Sequence, residues 1–235
     1  MLLDICHREI AVRRASLALT LCIAGLELGV GLTLGGCGGG HPAVIASADR
    51  PEGPAWQDIV TPDDQARLIM LEDIWTKARG AVPPRLRAKV AAEGPLLDPA
   101  AALELPALPP GFYQCRLVRL GGRQGFATYK PDFCFVDGNS RGVSLTKQTG
   151  TRLPGGWLHP DGKTRQIFLG TLRAAGAKLP PPYGENPAVD QAGVVERVAP
   201  FRWRLVLPTA GQEAMLDVYE LVPVVRPLGV GGSAG

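Results

Sequence analysis

From Gly111 onward, apolar and polar side chains alternate in short runs, punctuated roughly every 8 to 15 residues by Gly, Pro, Asp or Asn, which is the pattern of strands joined by turns. The runs 112–120, 126–136, 142–148, 155–159, 164–172, 193–198, 201–207 and 215–223 read as strands. In 201–207, Trp203, Leu205 and Leu207 share one face while Arg202 and Arg204 take the other, so one face of the sheet is expected to be wet. About eight sequential antiparallel strands in a stretch this short are best satisfied by a small closed up-and-down barrel, because closure removes exposed edges. A two-sheet sandwich is the alternative.

Ahead of the strands the period becomes helical. Thr61, Pro62, Asp63 and Asp64 supply an N-cap, a proline at the first helical position and two carboxylates facing the positive end of the dipole. Leu68, Leu71, Ile74, Trp75 and Ala78 then recur at helical spacing, so one stripe must be buried. A shorter helix is expected from Pro84 to Glu93, stopping at Gly94 and Pro95. Residues 98–110 form a proline-rich connection, and 41–60, which lack periodicity, read as an extended arm. The expected class is mainly β with two N-terminal helices (α+β).

Residues 15–36 are apolar and follow Arg13 and Arg14, the charge order of a signal peptide. Glu27 near the middle of the run argues against a permanent membrane span. The run ends in Leu34, Gly35, Gly36, Cys37, which resembles the lipobox of bacterial lipoproteins, with Cys37 as the lipidation site and Gly38 to Gly40 as a tether. The alternative is an ordinary secretory signal cut after Ala46, Ser47 and Ala48. The organisation expected is a leader at 1–37, a tether and arm at 38–60, and a single folded domain at 61–226. That domain would hold helices at 61–94 and a barrel at 111–224, followed by a disordered tail at 227–235. The expected location is the periplasmic face of the cell envelope, anchored to the outer membrane by N-terminal lipid, or else the soluble periplasm or the exterior.

Of the five cysteines, Cys6, Cys22 and Cys37 belong to the leader, leaving Cys115 and Cys134 in the folded part. In an oxidising compartment this pair reads as a disulfide. A hairpin turning near Arg123 and Gln124 would place the two directly opposite on neighbouring strands, within bonding reach. No metal site is expected, since no further cysteine is at hand and His159 would have to converge from far along the chain.

Composition supports a globular domain with many short elements: 46% of the 235 residues are apolar and 20% charged, with 30 Gly and 22 Pro. Residues 38–110 carry 7 basic and 10 acidic side chains, whereas 111–235 carry 15 basic and 9 acidic, so the strand region is mildly basic. These charges do not cluster and aromatics do not interleave with them, so no nucleic-acid partner is expected.

Gly138, Asn139, Ser140, Arg141 and Gly142 match the nucleophile-elbow string, but a strand-like run rather than a helix follows, so a hairpin turn is the reading. His159 stands beside the turn residues Pro160, Asp161 and Gly162 and reads as a solvated loop histidine rather than a general base. Asp190, Glu196 and Arg197 are candidates for a polar cluster near one end of the barrel, with ion pairs at strand ends as the plainer reading. No phosphate loop or cofactor fingerprint is present, so neither a cofactor nor a catalytic residue is assigned.

Several segments together resemble domain of unknown function family 4893, a set of small exported alphaproteobacterial proteins. They are AAEGPLLDP at 91–99, PPGFYQCRLVRLG at 109–121, LTKQTGTRLPGGWLHPDGKTRQIFLGTL at 145–172, YGENPAVDQAGVVERV at 183–198, and RWRLVLP through LDVYELVP. The resemblance runs from about Trp56 to Val222 and implies cysteines at 115 and 134. Val189 stands where the family pattern has an arginine before Asp190, so the resemblance implies no Arg–Asp pair at that point. Gly111, Phe112 and Tyr113 are similar to the opening of lipocalin-like, or calycin-like, and bacterial metalloprotease-inhibitor barrels. The resemblance implies no activity. The expectation is a non-enzymatic envelope protein whose barrel interior or rim binds a small ligand or an envelope partner. The alternatives are an inhibitor of secreted proteases acting through the arm, and an enzyme with an unrecognised site.

Overall fold

The computed structural model describes residues 55–209 and 211–224. The leader with Cys37, the glycine tether, the arm as far as residue 54 and the tail at 227–235 lie outside the described residues.

Helix α1 (Trp56–Ile59) falls in the stretch read as an extended arm. A four-residue turn leaves no periodic signal. It is held instead by distant contacts: Trp56 Nε1 donates to Asp161 Oδ1 at 3.2 Å, and its ring packs on the core. Thr61 caps α2 (Pro62–Ile69), accepting from the Asp64 amide at 3.4 Å. The apolar stripe expected of one helix is shared with α3 (Leu71–Gly80), the chain breaking at Met70, and Leu68, Leu71, Trp75 and Ala78 are all buried. A 3-10 turn at Pro84–Leu86 runs into α4 (Arg87–Ala92), which ends ahead of Gly94 at φ 58° and Pro95. A second 3-10 turn, Gly94–Leu97, then leads to the proline-rich connection.

The strands are β1 (Gly111–Gly121), β2 (Gly125–Thr128), β3 (Asp132–Asn139), β4 (Gly142–Lys147), β5 (Arg152–Asp161), β6 (Arg165–Ala174), β7 (Asp190–Ala199), β8 (Arg202–Pro208) and β9 (Leu216–Pro223). From β3 each pairs antiparallel with the next, β1 pairs with β3, and β9 pairs back onto β1, closing an up-and-down barrel. The staves are β1 and β3 to β9. β2 and β3 lie along one edge of β1, at its two ends, and are the halves of the run read as 126–136. Pro131 between them has no amide hydrogen for a ladder, and the strand breaks there.

The break also moves the register. Val118 faces Thr128, but Cys115 faces Asp132 and Tyr113 faces Cys134. The cysteines are therefore diagonal neighbours on the inward face rather than directly opposite, and they are disulfide-bonded with their Cα atoms 5.8 Å apart.

Two cores result from the alternation. Inside the barrel lie Tyr113, the disulfide, Leu145, Phe168, Leu205 and Tyr219, each 3% exposed or less. On the outer face, Val118, Ile167, Val194, Val206 and Val218 meet Leu68, Trp75 and Leu97 of the helical layer. The face expected to be wet is thus largely covered.

Arg204, assigned to that wet face, is fully buried. Its guanidinium donates to Glu196 at 2.7 Å and to the carbonyls of Leu96 at 3.0 Å and Asp98 at 2.7 Å, and it stacks over Trp75. The carbonyls left without partners by the Gly94–Leu97 turn are what draw it in. It belongs to a row of alternating sign that crosses the strands in register: Arg116, Glu220, Arg204, Glu196, Arg165, Asp161. Opposite charges at facing positions favour this pairing over a slipped one.

The barrel ends differ. Residues 103–110 cross one end, where the Leu103 amide donates to the Arg197 carbonyl and the Leu105 amide to that of Lys163. Leu108 plugs this end, 3% exposed, and the Tyr113 hydroxyl donates to the Pro109 carbonyl at 2.6 Å. The opposite end is framed by the connections after β1, β4, β6 and β8.

Candidate functional site

Side chains pointing into the barrel follow period two, so the phase that turns Tyr113, Cys115 and Leu117 toward the inner cluster carries Arg119 inward near the open end of β1. On β9 the phase of Leu221 and Tyr219 brings Asp217 inward, and the ladder sets Asp217 opposite Arg119. Arg119 Nε lies 3.0 Å from Asp217 Oδ1. Arg152, at the first position of β5, approaches the same carboxylate at 3.9 Å and is 44% exposed, against 3% for Asp217. One buried anion therefore faces two guanidiniums.

Burial pushes the Asp217 carboxyl above the usual aspartate range, and the two arginines pull it back in part. The Tyr219 hydroxyl is pushed up more strongly, by burial and then by the charge of Asp217. Arg119 is held further by Tyr129, whose ring lies 5.5 Å below the guanidinium.

These groups open on a recess of about 310 Å³ at the barrel mouth, walled by Leu172, Pro187 and Pro208 and bordered by Gln191, Thr209 and Asp190. Asp190 begins β7 on its outward phase. Its Oδ2 accepts from the Gly184 amide at 3.2 Å, while Oδ1 has no hydrogen-bond partner among the described residues. Burial pushes this carboxyl up too, opposed first by the Gly184 amide. Beside it Asp64 pairs with Arg67 and accepts from the Tyr183 hydroxyl at 2.7 Å, and burial lifts that phenol to about 12. With Val189 in place, the positive charge acting on Asp190 is that of Arg67, from helix α2.

A second recess of about 600 Å³ lies against the helices, bordered by Arg79, Arg87, Gly94 and Asp98. There Arg79 donates to the Leu97 carbonyl at 2.9 Å and Asp98 accepts from the Ala100 amide at 3.1 Å, so these groups are occupied in holding the layer together.

The candidate cluster of Asp190, Glu196 and Arg197 does not form. Asp190 lies at the mouth, Glu196 pairs with Arg204 on the outer face, and Arg197 donates to the Glu104 carbonyl at the plugged end. Ser140 sits in the β3–β4 turn, where the Arg141 amide donates to Asn139 Oδ1 at 2.9 Å. His159 is not in a loop. It lies within β5, half-buried, and burial lowers its pKa. Sequence reading passed over Arg119, Arg152 and Asp217. Arg119 and Asp217 share the parity of inward residues on their own strands, the one signal by which they could have been found.

Among the described residues, no three His, Cys, Asp or Glu side chains converge as metal ligands would. A family model described as a domain of unknown function (DUF4893) matches residues 56–221. No curated protein and no solved structure matches the chain.

Proposed function

Because the chain belongs to the DUF4893 family, a domain of unknown function, the reading rests on its own geometry, and we propose a non-enzymatic envelope protein that binds a small ligand at the open mouth of its barrel. The observation that carries it is the contrast between the two ends. One is plugged by Leu108, the middle is filled by side chains around the disulfide, and the other opens into a recess with charged groups at its wall. Ligand pockets combine apolar walls with a few convergent polar groups, and the barrel mouth is a habitual place for them. The side chains packed around the disulfide favour the rim over the interior as the place of binding. In this reading Cys37 carries lipid and holds the domain at the envelope.

The test is a fragment screen followed by amide resonances of the isotope-labelled protein. Binders should move Gln191, Thr209 and neighbouring amides. Shifts confined to the recess around Arg79 and Arg87, or no binder at all, would reject the mouth as a site. Intact mass of the protein taken from native envelope checks the anchor, since unmodified Cys37 would reject lipidation.

A further inference from the structure

Six charged side chains border the mouth: Arg67, Arg119, Arg152, Asp190, Glu213 and Asp217. Four of them are already matched. Arg67 pairs with Asp64, Arg119 with Asp217 at 3.0 Å, and Glu213 with Arg123 at 2.5 Å. The other two, one of each sign, are answered less completely. Arg152 is the second, longer partner of Asp217 at 3.9 Å and acts on the Tyr219 hydroxyl, yet almost half of its side chain faces solvent. Asp190 is in no ion pair among the described residues, is 2% exposed, and keeps one carboxylate oxygen without a hydrogen bond.

An orphaned buried carboxylate oxygen carries a standing desolvation cost, which a donor of positive charge would relieve. A planar guanidinium open to solvent is suited to receive a carboxylate through two parallel hydrogen bonds. From these two incompletely answered groups we infer that the mouth takes a small zwitterion, its carboxylate on the exposed side of Arg152 and its ammonium toward Asp190. Leu172, Pro187 and Pro208 receive the carbon skeleton between them. A dianion such as phosphate fits poorly, because the three guanidiniums at the mouth are balanced by the carboxylates of Asp190, Glu213 and Asp217 and leave no net positive charge for it. A simple amine would leave the exposed side of Arg152 unanswered. This inference rests on the mouth being the binding site and names the chemistry that site selects.

The experiment titrates the full chain with glycine, β-alanine, γ-aminobutyrate and ε-aminocaproate, which carry the same two charges at increasing separation. Butyrate, butylamine and inorganic phosphate serve as single-sign probes, and mouth amide resonances report binding. At least one zwitterion should bind about ten-fold or more tighter than every single-sign probe, as expected for one extra charge-assisted contact. Arg152→Gln and Asp190→Asn should each weaken it by about ten- to a hundred-fold. Asp190→Asn retains an acceptor for the Gly184 amide, and Arg152 is half in solvent, so thermal midpoints should confirm that both variants fold.

Butyrate or phosphate binding as tightly as the best zwitterion, or an Asp190→Asn variant that binds unchanged, would overturn the inference. Neutral fragments that occupy the mouth while no zwitterion does would overturn it as well, yet leave the mouth a binding site. Silence of the mouth toward every compound would remove both.

Discussion

Replacing Arg204 with methionine, which keeps the volume of the stem and removes the guanidinium, should detach the helical layer energetically from the barrel. Arg204 has no exposed surface, and its loss leaves the carbonyls of Leu96 and Asp98 and the carboxylate of Glu196 without their donor. Each buried carbonyl left unpaired costs about 1–3 kcal/mol. Removing one partner of a buried ion pair costs about 3–5 kcal/mol. The losses overlap, so the expected destabilisation is about 4 kcal/mol, or a fall in midpoint of roughly 8–16 °C for a domain of this size. Urea denaturation followed by tryptophan fluorescence, with the disulfide intact, measures it. Hydrogen exchange should rise first in α3 and at 94–99, ahead of the strands. Arg165→Met, which removes a half-exposed partner from the same charge row, should cost well under about 1 kcal/mol. If Arg204→Met also costs less than that, the helices are held by apolar contact alone and the reasoning fails.

Reducing the Cys115–Cys134 bond, which spans 19 residues of sequence, should lower stability by about 3 kcal/mol, read as a shift in the urea midpoint with and without dithiothreitol. Phe201 is 76% exposed and sits at φ 54°, where a bulky side chain is strained. Phe201→Asn should therefore stabilise by about 1 kcal/mol, and a loss of stability would show that the ring makes contacts that matter. The pH dependence of Asp190→Asn is set by the raised pKa of Asp190. A carboxyl whose folded pKa lies above its unfolded one stabilises most below the unfolded value of about 3.9, and that contribution is lost as pH rises through the folded value. The variant should be more stable than wild type at neutral pH, with the gain vanishing in acid. A gain that grew in acid would reverse the sign.

The alternation after Gly111 was sufficient for strand number, antiparallel order and a closed sheet, because the side-chain period of a strand is local and turn residues mark its ends. The same alternation held more than was drawn from it. Glu196 and Arg197 are consecutive in a strand and must face opposite ways, which alone excludes a shared cluster. Likewise the inward parity of Arg119 and Asp217 was legible once the phase of β1 and β9 was known.

What the sequence could not express was which distant segments meet. Arg204 reads as a surface residue until carbonyls 105 to 109 positions away close over it. Cys115 and Cys134 read as direct partners, but the turn centres on Arg123 and, with a one-residue shift at the strand break, sets Cys115 opposite Asp132, two residues short of Cys134. The mouth joins Arg67 of a helix to Arg119, Arg152, Asp190 and Asp217 of four strands. Local composition determines how each segment folds on itself. Which charges end up matched and which stay open is decided only by closure of the barrel and by the layer packed upon it, because Coulomb energy and desolvation depend on distance in space and not along the chain.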